Sequence, residues 1–125
     1  TIDALEVFEH LRDILDPEHP HTLEQLGVVG LEGVEVNDEG SRVRVRVVPT
    51  VAHCSMATLI GLSVRAKLAE VLPPRFRCEV YIPEGAHTSH GQINKQLADK
   101  ERVCAALENP AILGMVERSL APSHV

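Results

Sequence analysis

VVGLEGVEVNDEGSRVRVRVV, residues 28–48, holds two β-branched runs, 28–36 and 42–48, on either side of Asn37-Asp38-Glu39-Gly40-Ser41. Turn-forming residues between two strand-forming runs predict a β-hairpin. The second run alternates strictly. Val43, Val45 and Val47 fall on one face and Arg42, Arg44 and Arg46 on the other, so one face of the sheet is core and one is wet. The arginine stripe reads either as a solvated outer face or as a partner-binding surface.

Pro49 ends this run, and residues 55–72 carry Met56, Leu59, Ile60, Leu62, Val64, Leu68, Val71 and Leu72, which predicts an apolar helix of about five turns. Pro73-Pro74 closes it. A third strand is expected over 76–82, with Phe76, Cys78, Val80 and Ile82 on one face. Residues 83–91 read as a loop, 93–108 as one helix with Ile93, Leu97, Cys104 and Leu107 inward, and 111–120 as a last short helix after Asn109-Pro110. Cys78 and Cys104 are thereby expected to be packing residues. Toward the N-terminus, Leu5, Phe8, Leu11 and Ile14 predict an opening helix over 3–15 capped by Asp3. It is stopped by Asp16-Pro17-Glu18-His19-Pro20, and Thr22 and Gln25 have capping-box spacing for a short helix ending at Gly27. Few strands, a hairpin start and interspersed helices predict an α+β fold, a single small domain with helices packed on a small mixed β-sheet.

Composition narrows function. A chain of 125 residues suffices for one core without staples, and with aromatics at 2% that core must be aliphatic. Twelve basic against eighteen acidic residues give a net charge of -6, the wrong sign for neutralising phosphates, so direct nucleic-acid binding is not expected. Neither a membrane-spanning run nor a signal-peptide layout is present, and three cysteines without CxxC pairing suit a reducing compartment; an intracellular, soluble chain is expected. GxGxxG and GxxxxGK[ST] are both absent, so no nucleotide cradle is marked.

Chemistry concentrates at Pro49-Thr50-Val51-Ala52-His53-Cys54-Ser55-Met56, where a cysteine falls in the turn between a strand and the long helix. A helix N-terminus favours thiolate, which attacks electrophiles, ligates soft metals or holds sulfur species; the alternative is a cysteine packed beneath the helix start. Cys54 with a remote histidine such as His87 would make a thiol hydrolase. For zinc, His53 with Cys54, His87 with His90, and Asp16, Glu18, His19 and His21 are candidate ligands without the spacing of a structural zinc module. The histidines otherwise read as exposed loop residues. Asp16 and Glu18 either cap the following helix, orient Cys54 or offer hard ligands.

Three blocks, DPEHPHTLEQLGVV at 16–29, PTVAHCSMATLIGL at 49–62 and INKQLADKERVCAALENP at 93–110, resemble the cytosolic iron-sulfur assembly component 2 family, relatives of the SufT and PaaD-like metal-sulfur cluster biosynthesis domain. The DPEHP spelling, the methionine of HCSMATLIGL and the QLADKERV and ALEN blocks look more like its 2B branch. At 85–91 GAHTSHG departs from the GTHASE-like pattern, so His90 and Gly91 inherit no role. The resemblance spans nearly all of residues 1–125. It implies a non-enzymatic member of the cytosolic targeting complex that passes [4Fe-4S] clusters to apo-proteins, beside a WD-repeat β-propeller and a HEAT-repeat scaffold, in the cytoplasm and nucleus. Cys54 matches the family's reactive cysteine, and Asp16, Glu18, Thr50, His53 and Ser55 its supporting shell. A homodimer formed by segment exchange is also implied. The competing reading is a pure adaptor with a structural Cys54 and working surfaces at Arg42, Arg44, Arg46 and the helix from Lys95 to Arg102.

Overall fold

The computed structural model describes residues 2–16, 21–49, 54–87 and 89–120. Its first helix, α1 (Ala4–Leu11), starts where the Asp3 carboxylate accepts the Glu6 N–H at 2.8 Å. The buried stripe is Val7, Phe8 and Leu11, with Ala4 beside it; Leu5, expected inward, is 52% exposed. Ala4, Val7, Phe8 and Leu11 have the i, i+3, i+4, i+7 spacing of one helical face, and Leu5 falls off its edge. The helix also ends sooner than residue 15, so Ile14 is buried from the turn that follows rather than from the helix.

Thr22 and Gln25 form the reciprocal pair that their spacing predicts: the Thr22 N–H donates to Gln25 Oε1 at 2.9 Å and the Gln25 N–H to Thr22 Oγ1 at 3.2 Å. No helix grows from it. Gly27 adopts φ +73°, and the N–H groups of both Val28 and Val29 turn back to the Leu23 carbonyl, so residues 23–27 are consecutive turns. Arg12 ties this segment to α1, pairing with Glu24 at 2.9 Å across the Phe8 ring.

The expected strand over 28–36 is broken. A single 3-10 turn, Leu31–Gly33, precedes β1 (Val34–Asn37), while Val28 contributes its carbonyl to the N–H of Val48 at 2.9 Å. Gly33 allows a close approach there: a Cβ would lie 3.2 Å from that of Arg46, tight enough that the neighbour would have to shift by a few tenths of an ångström. The hairpin holds: β2 (Arg42–Arg46) pairs antiparallel with β1 through a turn in which Asn37 Oδ1 accepts the Gly40 N–H, and Val43 and Val45 are buried. The chain then enters α2 (Cys54–Val71) and returns as β3 (Arg77–Tyr81), parallel to β2, giving the order β1-β2-β3. A helical crossover is what a parallel neighbour demands.

Residues 90–108 form two helices instead of one, α3 (His90–Ala98) and α4 (Lys100–Glu108). Asp99 between them is extended, and its carboxylate accepts the N–H groups of Glu101 and Arg102, the behaviour of an N-cap and not of a helix interior. The break resets the helical phase. Val103 is buried, and Cys104, expected as a packing residue, is exposed. Asn109 then accepts the Ala111 N–H and opens α5 (Pro110–Leu120). Helices α1, α2 and α3 pack on the sheet, with α4 and α5 stacked on α3 and α2, around an aliphatic core that includes Leu11, Ile14, Leu23, Ile60, Leu68, Ile82, Ile93 and Leu97. Asn94 of α3 clamps the chain just past β3, accepting from Ile82 N–H at 2.7 Å and donating to its carbonyl at 2.9 Å.

The hairpin tip is held by Asp38. Its carboxylate accepts the Ile2 N–H at 3.1 Å and the Arg75 guanidinium at 3.0 Å, and Arg75 also bonds the Ser41 hydroxyl. The Ile2 hydrogen bond first, and then Arg75, hold the Asp38 carboxyl below its ordinary range. A depressed folded-state pKa contributes stability that is fully present above the unfolded value of about 3.9 and is lost as pH falls through the folded value. Asp38→Asn should therefore lower the thermal midpoint at neutral pH and flatten the acid limb of stability against pH. An unchanged acid limb would exclude Asp38 as a contributor.

Candidate functional site

The site begins with the backbone. Cys54 and Ser55 are the first two residues of α2, an 18-residue helix with no acidic residue in its first turn to offset the partial positive charge of its N-terminus. Glu18, Thr50 and His53 lie outside the described residues. Asp16 is 4% exposed, so it belongs to the interior rather than to an open loop. Its N–H donates to the His21 carbonyl, and the preceding Leu15 N–H reaches the Ser119 carbonyl of α5 at 2.9 Å. Asp16 thus sits at the end of α5, beside a depression of about 120 Å³ that Met115 and Ser119 also line. The capping of the following turns falls to Thr22 and Gln25.

His87 is 8% exposed, correcting its reading as a surface loop residue. Its Nδ1 accepts the Ser89 N–H at 2.9 Å, so the local turn leading into α3 orients the ring. His90 is half-buried, with Nδ1 3.3 Å from the His87 carbonyl, an acceptor only, which assigns the proton to that nitrogen. Among the described residues no three His, Cys, Asp or Glu side chains gather as a metal-holding group.

One feature escaped the reading of the sequence. An apolar cleft of about 490 Å³ starts within a turn of Cys54, between α2, α3 and α5, lined by Met56, Leu59, Leu62, Ile93, Ile112 and Met115. Both methionines of the chain line it. Their flexible thioethers suit a surface that adapts to what it meets, and the pair, some sixty residues apart in sequence, was the available signal.

The other two thiols differ from one another. Cys78 is half-buried against the core, and burial raises its thiol pKa, with Arg65 opposing. In a Cys54→Ser protein, Cys104 should react first with a thiol-specific disulfide reagent and Cys78 only slowly, because the thiolate is the nucleophile and access limits its reaction. Mass mapping of the labelled cysteine checks the order; labelling of Cys78 first would contradict the assigned burial.

Fold and site together define a small α+β domain built on a β-α-β crossover, with a cysteine as the first residue of the crossover helix. A family model described as "Iron-sulfur cluster assembly protein" matches residues 5–82, from α1 through β3. Similarity to individual proteins extends further. "Protein AE7" of Arabidopsis thaliana is 57% identical over 119 residues, 95% of this chain and 76% of that protein. "Cytosolic iron-sulfur assembly component 2B" of Mus musculus is 54% identical over 121 residues, covering 97% and 74%. The protein of the same name in Dictyostelium discoideum is 51% identical over 119 residues, covering 94% and 73%. The chain belongs to the iron-sulfur cluster assembly protein family, in its MIP18, or cytosolic iron-sulfur assembly component 2, group. Among the described residues no helix is long and apolar enough to cross a membrane.

Proposed function

We propose that this chain is a component of cytosolic iron-sulfur protein assembly in which Cys54 serves as a transient ligand or sulfur contact for a [4Fe-4S] cluster on its way to apo-proteins. The observation that carries the reading is the place of Cys54 as the first residue of α2. Helix N-termini favour thiolate, and thiolates are the ligands of iron-sulfur clusters. Family membership and the names of the relatives support the process. The chain acts as a carrier and adaptor rather than by turnover, in a targeting complex with a WD-repeat β-propeller subunit and a HEAT-repeat scaffold, and serves clients of the cytoplasm and nucleus. A homodimer, formed by segment exchange, is a further state of the same chain.

Anaerobic reconstitution of the full chain with iron and sulfide, followed by absorbance, tests the cluster contact. A signal that requires Cys54 supports it, and an equal signal from Cys54→Ala overturns it. The adaptor reading is favoured by a different observation, the exposed charged face of the sheet, and it predicts no Cys54-dependent signal.

A further inference from the structure

The outer face of the sheet is ordered in rows. Strand register places Asn37, Arg42 and Arg77 side by side, then Glu35, Arg44 and Glu79, then Arg46 and Tyr81. In the second row Arg44 stands between two carboxylates, and in the third Arg46 has Glu32 of the 3-10 turn as its partner. Arg44 lies 3.8 Å from Glu35, 3.5 Å from Glu79 and 4.0 Å from the Tyr81 ring centre, and Arg46 reaches Glu32 at 3.9 Å. The first row has no such pairing. Arg42 and Arg77 are exposed cross-strand neighbours, and neither has a side-chain partner among the described residues. The nearby acid, Asp38, is engaged by Ile2 and Arg75. Like charges directly opposite one another weaken a sheet, and here they stand in a chain of net charge -6. They also line an open groove of about 460 Å³ with Asn37, Glu35, Arg44 and Glu79.

We infer that this row is a docking surface for an acidic segment of a partner protein, whose carboxylate is gripped between the Arg42 and Arg77 guanidiniums. Two planar forks on strands about 4.8 Å apart match carboxylate oxygens. The neighbouring row decides against a polyanion. An extended segment lying along β2 repeats its side chains every second residue, so the side chain two positions after the carboxylate meets Arg44 flanked by Glu35 and Glu79, a row with two carboxylates to one guanidinium that disfavours a second negative group and accepts a neutral or basic one. A nucleic-acid strand has no such alternation. The surface stands independently of any role for Cys54.

The test uses the isotope-labelled full chain titrated at low and physiological salt with a capped Gly-Glu-Glu-Gly-Ser-Gly peptide, its Gln-for-Glu counterpart, an oligothymidylate and inorganic phosphate. The acidic peptide should shift the amides of Asn37, Arg42 and Arg77 most, and Arg42→Glu with Arg77→Glu should weaken it about tenfold, a loss of about 1.4 kcal/mol. Lys95→Glu with Lys100→Glu, the same charge change on α3 and α4, should leave it bound. Arg77→Glu alone should weaken the peptide while raising the thermal midpoint, because it replaces a like-charge pair by an opposite one. No shift with the acidic peptide, an equal loss in the α3 and α4 variant, stronger binding of the oligonucleotide or phosphate, or a lowered midpoint in Arg77→Glu each overturns the inference.

Discussion

Under the proposed cluster contact, cells that depend on a Cys54→Ser or Cys54→Ala chain should lose maturation of [4Fe-4S] clients almost entirely, while the purified variant keeps its fold and its proposed partners. Serine is close in size to cysteine and is favoured at helix starts, so at the head of α2 it should change stability by about 1 kcal/mol or less. What it removes is the soft sulfur donor, which a hydroxyl does not replace for iron. The measurement is iron content and activity of a cluster-dependent client, with circular dichroism and co-purification of the proposed β-propeller partner as controls. Wild-type maturation with both variants would leave the adaptor reading standing. Loss of complex formation would make Cys54 a structural residue.

Leu97→Ala should give the largest loss of stability, about 3 kcal/mol within the 2–5 expected for a buried leucine, and about 10 °C in thermal midpoint. Leu97 is fully buried in α3 and packs on α2 at Gly61, where a Cβ would lie 2.5 Å from Leu97 Cδ1. Two opposed effects meet at Gly61→Ala: helix propensity favours it by about 1 kcal/mol, and overpacking against Leu97 costs about 1–3. The second wins in the wild-type background. Once Leu97 is cut back to alanine the clash is gone, so the same Gly61→Ala change should become stabilising. Urea unfolding of the two single variants and the double variant checks this reversal of sign, and simple additivity would show that the two positions do not meet. The contact matters to the site because it sets the spacing of α2 and α3, the walls of the cleft next to Cys54.

The acid test at Asp38 and the order of thiol labelling probe features of a different kind. Asp38 joins Ile2, Arg75 and the hairpin tip over separations of 36 and 37 residues, which local patterning does not announce. The exposure of Cys104 follows from a single residue, Asp99, acting as a cap in the middle of an apparently continuous helix. Helical periodicity carried through that aspartate assigned Cys104 to the wrong face. Val28 and Val29 misled in the same way. Their β-branched side chains read as strand, yet they bury against the core from a turn, with the Val28 carbonyl pairing beyond the end of β2.

Residues 28–48 encode the hairpin, the inward valines and the outward arginines locally, because an alternation of period two leaves only one way to bury Val43 and Val45. The long helix after them, and the cysteine at that helix's start, were equally local facts. Tertiary structure decided the rest. The parallel return of β3 put Arg77 beside Arg42, the packing of α3 and α5 on α2 brought Met56 and Met115 to one cleft, and burial separated Cys78 from Cys104. Each depends on residues distant in sequence sharing one surface, and no local period encodes which elements become neighbours.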